Sequence, residues 1–534
     1  MNSSLFRLSL FKLLSALASG ALYAFANVGF GYWPLAFFCF VPLLFALERG
    51  QSVRSGALLG LACGAMLYFV GYSWLLALTD GFVSGGVLTS IGMWASYGFF
   101  VALHFLAFGV GFVVLRKLGV ILPLAAVLSI LVVESLQLNL FPFFLGASLI
   151  HSLNFAQAAD LGGVYLLSAL VMFVNASLVA VVLRFSRRSV GAAVYLALIA
   201  LTVGFLHYYG AYQNSMRSQH LSSVGASGED ENRLDGNALE VGIIQSDLYG
   251  ISQAEQRTLA HAHHLNLSRE LLDSGQVDLL VWPEAAYGKG LRGSLPLDGQ
   301  LIQQELTTPI LFGATRFVER GGQSRAANSV FLVDETRKIS GVYSKNRLIP
   351  FSEYLPFESI LAEHEDSVKK VFPEYQRFVP GDSLDALVLA GRKISTPICY
   401  EAVMPDLVRQ MVLQNHSELL VSVANDSWFG KSKEPYIHLA MARLRAIEHR
   451  RWFVRAANSG ISAVINPQGR VVNSVPVGEE GVRVSTVQWR TGRTVYTSFG
   501  NWPSLFVLVL AFFNLLVMRV NGFSAYRRSS ASLV

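Results

Sequence analysis

Val277-Asp278-Leu279-Leu280-Val281-Trp282-Pro283-Glu284 is the stretch on which the reading of this chain turns. Val277–Val281 reads as a short, buried β-strand, because a run of this length rich in Leu and Val is too short for a helix. Trp282-Pro283 follows it. A carboxylate at Glu284 then stands at the edge of a sheet, where α/β domains bind ligands. Partial burial there would raise its pKa and suit it to proton transfer.

Outward from this strand the pattern alternates. Ala238–Gln245 reads as a strand. Ser252–Gly275 reads as a helix, opened by a Ser252-x-x-Glu255 capping box and closed by glycine. Further strands are expected over 309–317, 328–333, 339–344, 393–399, 419–424 and 460–472, with a helix-like stretch from Met404. Glu434–Arg451 has helical periodicity, with Ile437, Ala440, Met441, Leu444 and Ile447 on one face. Strands alternating with helices, with hairpins mixed in, mean a layered α/β domain over 238–492.

The rest of the chain is different in kind. Of 534 residues, 52% are hydrophobic and 15% charged, and the mean hydropathy is +0.44. Residues 1–210 hold 13 charged side chains and the other 324 hold 65. This excludes a disordered or ordinary soluble protein and points to a membrane domain fused to a soluble one. A span needs about 20 apolar residues. Seven are expected, over 9–28, 32–48, 55–78, 88–115, 119–137, 162–183 and 190–209, and an eighth over 502–519. The stretch 140–160, with Pro142 and Gly146, reads as re-entrant or interfacial. The first segment reads as a signal anchor rather than a cleaved leader, since further spans follow at once. Residues 211–237 read as a polar linker and 520–534 as a tail.

The net charge of +6 is concentrated beside the apolar segments, while 211–500 is near neutral; that argues against a nucleic-acid surface. Arg7/Lys12, Arg49/Arg54, Arg116/Lys117, Arg184/Arg187/Arg188 and Arg519/Arg527/Arg528 cluster at alternate loops, the loops between them near 29, 82 and 150 having no Lys or Arg. The positive-inside rule then puts both termini in the cytoplasm and the soluble domain outside it. Glu134 and Asp160 are acids in or near the spans; Glu134 reads as a helix-packing or interfacial partner and Asp160 as interfacial.

Three cysteines are present, Cys39, Cys63 and Cys399, with no metal-ligand spacing. Cys399 follows an expected strand and precedes a helix-like stretch, an exposed turn near free backbone N–H groups that can lower a thiol pKa and hold an oxyanion. Alone, such a cysteine is more commonly a buried packing residue. Lys345, after Tyr343-Ser344, also ends a strand and could equally be a solvated hairpin charge. Together, Glu284, Lys345 and Cys399 make a base, an electrostatic stabiliser and a nucleophile at three strand ends.

The motifs around these residues resemble the carbon–nitrogen hydrolase (nitrilase) superfamily. The fusion resembles its membrane branch, the bacterial apolipoprotein N-acyltransferases, in Lys345-Asn346-Arg347-Leu348-Ile349-Pro350-Phe351-Ser352-Glu353-Tyr354-Leu355-Pro356, Asn425-Asp426-Ser427-Trp428-Phe429-Gly430 and Ala442-Arg443-Leu444-Arg445-Ala446-Ile447-Glu448. The resemblance implies an α-β-β-α sandwich, an inner-membrane location and no cofactor or metal. It implies a Cys399 thioester formed from a phospholipid, with phosphatidylethanolamine as the expected donor. The acceptor would be the α-amino group of a diacylglyceryl-cysteine at an apolipoprotein N-terminus. Glu353 would orient Lys345 or the amine, Tyr400 and Glu401 would shape the turn, and Trp428 would line the acyl pocket. Two rival readings are a membrane-tethered amidase for a small amide and a transporter with a soluble receptor-like domain. Eight spans are too many for a tether, and Glu134 lacks an obvious cationic partner for transport.

Overall fold

A computed structural model describes residues 10–49, 52–76, 86–137, 141–185, 190–226, 236–248, 253–356, 370–372 and 375–531. The chain divides into two units: residues 1–73, 92–210 and 501–534 in one, and 74–91 with 211–500 in the other.

The first unit is helical. Val53–Gly71, Val87–Lys117, Ala159–Arg184 and Val190–Ser215 are long and apolar enough to cross a membrane, and Leu10–Ala26, Trp33–Glu48, Leu122–Leu136 and Trp502–Met518 are shorter apolar helical segments. Close packing relies on small residues: a Cβ on Gly60 would overlap the Phe105 carbonyl, so the helices holding them meet backbone to backbone. The irregular stretch after residue 140 contains a 3-10 helix, Leu145–His151, buried from Leu145 to Ile150. Glu134 accepts the Leu145 N–H at 2.8 Å and Ser168 Oγ accepts that of Gly146 at 2.8 Å. Glu134 is thus a packing partner that satisfies a buried helix start. Asp160 accepts from Tyr209 Oη at 2.8 Å. Cys39 and Cys63 are both buried.

The second unit contains two sheets. The first holds β1 (Ala238–Gln245), β2 (Leu279–Val281), β3 (Tyr287–Leu291), β4 (Leu297–Asp298), β5 (Ile310–Arg320), β6 (Gln323–Val333), β7 (Lys338–Ser344) and β14 (Gly481–Gln488), in the order β14-β1-β2-β5-β6-β7-β4 with β3 beside β5. The second holds β8 (Leu387–Leu389), β9 (Arg392–Ser395), β10 (Leu419–Ala424), β11 (Phe453–Ala457), β12 (Ser462–Ile465) and β13 (Val471–Val475), in the order β13-β12-β11-β10-β9-β8. Pairing is parallel through β1, β2 and β5 and through β9, β10 and β11, and antiparallel at the flanks.

Three apolar clusters define the layers. Val241, Leu279, Val330, Val421 and Val454 pack between the sheets. Leu265 and Leu271 of the helix Gln253–Ser274 pack on Leu280 and Phe312. On the other outer face, Val408 and Val412 of the helix Pro405–Asn415 and Ala442 and Ala446 of the helix Glu434–His449 pack on Leu420 and Phe453. The result is a four-layer α-β-β-α sandwich.

Several boundaries differ from the sequence reading. The strand expected over 393–399 ends at Ser395, and Cys399 opens a 3-10 turn, Cys399–Val403. The strand expected over 460–472 is two strands, β12 and β13, because a turn closes through Asn466, whose carbonyl accepts the Gly469 N–H at 2.8 Å. The apolar helix from Val190 continues to Ala226, through the first part of the stretch read as a linker. The last helix likewise runs past 519 to Ala531. Ser252 of the expected capping box lies outside the described residues.

Candidate active site

Glu284 follows β2, Lys345 follows β7, Cys399 follows β9, and Asn425 follows β10. Trp282 anchors the first of these ends; its indole donates to Ser268 Oγ at 2.9 Å and stacks on His264. Gly313 of β5 lies so close to the Glu284 backbone that a Cβ there would overlap it. Half-buried Glu284 accepts from Asn328 Nδ2 at 2.6 Å through Oε1 and from the Asn425 N–H at 2.9 Å through Oε2. Both oxygens are therefore held and the carboxylate cannot rotate freely.

Lys345 is 1% exposed. Its Nζ donates to Glu353 Oε1 at 2.9 Å, and Glu353 Oε2 accepts the Ile349 N–H at 2.8 Å. Asn328 Nδ2 also donates to Glu353 Oε1 at 2.9 Å, so one amide joins both carboxylates. Burial alone would lower the Lys345 pKa, but the charges of Glu353 and Glu284 outweigh it and hold the ammonium above its ordinary value.

Cys399 is 7% exposed and adopts φ +48°, the left-handed region that non-glycine residues rarely occupy. Such strain persists only where the surroundings fix it. Glu401 does much of this. Its carboxylate accepts the N–H groups of Ile398 (2.9 Å), Asn346 (2.7 Å) and Arg347 (3.0 Å) and the Tyr343 hydroxyl (2.9 Å). One buried side chain thus ties the Cys399 turn to the segment after Lys345. Burial, then the charge of Glu284, pushes the Cys399 thiol up, and Lys345 opposes. Burial raises Glu284 as well, with Glu353 adding and Lys345 opposing. The resting pair is therefore a neutral thiol beside a carboxyl group of elevated pKa. Tyr400, beside Cys399, has a phenol pushed up to about 12, chiefly by burial.

On the other side of Cys399, its carbonyl lies 2.9 Å from His438 Nε2. Cys399, Asp426 and His438 offer ligand atoms within 4.8 Å of one another among the described residues. The chain's own cation already serves that cluster: Arg455 donates to Asp426, and its Nη2 lies 3.1 Å from His438 Nδ1. A metal ion there would face a fixed guanidinium.

Glu284, Lys345, Glu353, Cys399 and Glu401 thus interact directly or through shared partners. Trp428 is half-buried in the 3-10 turn Asp426–Phe429 that follows Asn425. Sequence reasoning missed Asn328, His438 and the Asp426–Arg455 pair. An asparagine, a poor strand former, opening the strand expected over 328–333 was the available signal for Asn328. For the helix Glu434–His449, the apolar face drew attention away from buried Glu434, His438 and Arg445.

A family model for carbon-nitrogen hydrolases matches residues 241–496, and one for the apolipoprotein N-acyltransferase N-terminal domain matches 19–177. An apolipoprotein N-acyltransferase of Geobacter metallireducens is 29% identical over 512 residues, covering 91% of each chain. One of Pseudomonas paraeruginosa is 30% identical over 508 residues, covering 92% of each. Both halves are matched, and these relatives align along nearly their whole length; the chain belongs to the apolipoprotein N-acyltransferase family.

Proposed function

We propose that this protein moves an acyl chain from a phospholipid to the α-amino group of a diacylglyceryl-cysteine at a lipoprotein N-terminus, by way of a Cys399 thioester. The observation that carries the reading is the placing of Glu284, Lys345 and Cys399 after three strand ends, with buried Lys345 Nζ 2.9 Å from Glu353 Oε1. In the first step Glu284 takes the thiol proton and the thiolate attacks the ester carbonyl. The developing oxyanion meets the Lys345 ammonium and the Tyr400 N–H. Collapse expels the lysophospholipid alkoxide, which takes the proton from Glu284. In the second step the amine attacks the thioester and gives its proton to Glu284. The thiolate leaves and is reprotonated, and an amide remains. No water enters either step.

The membrane unit suits these substrates. Each CH₂ kept in the bilayer saves about 0.8 kcal/mol against extraction to water. In this reading eight spans hold the protein in the bacterial inner membrane, the catalytic domain is periplasmic, both termini are cytoplasmic, and Trp428 lines the acyl pocket. Phosphatidylethanolamine is the proposed donor. The test is to incubate the purified protein with phosphatidylethanolamine bearing labelled acyl chains and a synthetic diacylglyceryl-cysteine peptide. Label in an amide on the peptide is expected. Label released only as free fatty acid would overturn the reading.

A further inference from the structure

His438 lies on the helix Glu434–His449, is 2% exposed, and has no part in the proton transfers above. Its surroundings fix which ring nitrogen serves Cys399. A carbonyl only accepts, so Nε2, 2.9 Å from the Cys399 oxygen, must carry a hydrogen. Nδ1, on the other edge of the ring, faces Arg455 Nη2 at 3.1 Å. Burial and the Arg455 charge both hold its pKa down, against the attraction of Asp426. Asp426 and Glu434 each have an oxygen 3.4 Å from Nδ1.

We infer that His438 is a positioning residue for the oxyanion site, holding the Cys399–Tyr400 peptide by its carbonyl. In a trans peptide the C=O and N–H point in opposite directions. A donor fixed on the Cys399 oxygen therefore fixes the direction of the Tyr400 N–H on the far side. It does so at the residue of positive φ, +48°, that opens the 3-10 turn Cys399–Val403. The same bond draws charge toward the carbonyl and strengthens the N–H as a donor, as in any hydrogen-bonded chain. Arg455, itself donating to Asp426, packs against the Nδ1 edge and leaves Nε2 turned to the Cys399 carbonyl. The inference rests on the reading that Cys399 is acylated and that the Tyr400 N–H receives the oxyanion.

The test compares two reactions of Cys399 in the full-length protein in detergent. Acylation by phosphatidylethanolamine passes through an oxyanion, whereas alkylation by iodoacetamide uses the same thiolate without one. In H438L, acylation is expected to slow by about 10–10²-fold, less than or comparable to the loss of a direct donor. The KM for phospholipid and the alkylation rate should stay close to those of the parent. H438Q, whose amide N–H can reach the same carbonyl, should recover most of the acylation rate. Should the leucine variant fail to fold, H438M, unbranched and similar in length, repeats the comparison. Equal loss of acylation and alkylation, or unchanged acylation, would overturn the inference. Absence of an acyl adduct on Cys399 in the parent would overturn the nucleophile assignment itself.

Discussion

Lys345 Nζ sits 2.9 Å from Glu353 Oε1, with 0% of one side chain and 7% of the other exposed. Buried charges are costly unless paired and hydrogen-bonded, and breaking such a pair from one side leaves the other uncompensated. Here Asn328 and the Ile349 N–H supply the further bonds to Glu353. The pair keeps a cation beside Cys399 that water would otherwise be needed to stabilise. Lys345→Met should slow Cys399 acylation about 10²–10³-fold, the usual effect of losing one oxyanion donor. Single-turnover acylation rates would measure it. A rate within a few fold of the parent would remove Lys345 from that role.

Glu401 makes a second, separable prediction. Glu401→Ala leaves three backbone N–H groups and the Tyr343 hydroxyl without their acceptor. Each orphaned buried donor costs about 1–3 kcal/mol. The unit that holds the two sheets should therefore lose several kcal/mol in a denaturant titration, and Cys399 acylation should fall with it. Unchanged stability would mean that the turn is held by something else.

The pH dependence follows from Glu284. Its carboxyl is raised above the ordinary range, first by burial and then by Glu353. The base form is therefore lost as pH falls through that raised value. The acylation rate should show an acid limb above the usual carboxylate pKa of about 4.3. The same shift has a stability sign. An acid whose folded pKa is raised is penalised on ionising, so its effect is absent below the unfolded pKa and destabilising above the folded one. Glu284→Gln should abolish acylation and remove the acid limb. Acylation by that variant at a rate within a few fold of the parent would contradict the assignment.

The proposed orientation is tested by reporter fusions. Alkaline phosphatase fused after Val534 should be inactive, and the same enzyme fused near Gly225 active. The opposite pattern would invert the topology and remove the lipoprotein acceptor from reach.

Much of the candidate site was legible because Glu284, Lys345 and Cys399 each follow a stretch that reads locally as a strand. Leu279–Val281 before Trp282-Pro283-Glu284 and Lys338–Ser344 before Lys345 are strands whose ends can be read locally. What was not legible depends on tertiary pairing. Nothing near Asn328 in the chain indicates that its amide bridges Glu284 and Glu353, 44 and 25 residues away. Phe453–Ala457 was hidden behind the basic end of the preceding helix, and Asn466-Pro467-Gln468-Gly469, a turn signal inside 460–472, was passed over because apolar residues flank it on both sides. The helix Glu434–His449 buries polar side chains as well as its apolar face, so periodicity alone could not mark His438 as a neighbour of Cys399.

The central claim is that Cys399 carries the acyl group. Mass spectrometry of the peptide containing Cys399, after incubation of the protein with phosphatidylethanolamine and no acceptor, tests it most directly. The expected result is one acyl mass on Cys399, removed by hydroxylamine, discharged on adding a diacylglyceryl-cysteine peptide, and absent from Cys399→Ala. An unmodified Cys399 peptide in a preparation that still N-acylates the acceptor would contradict the account.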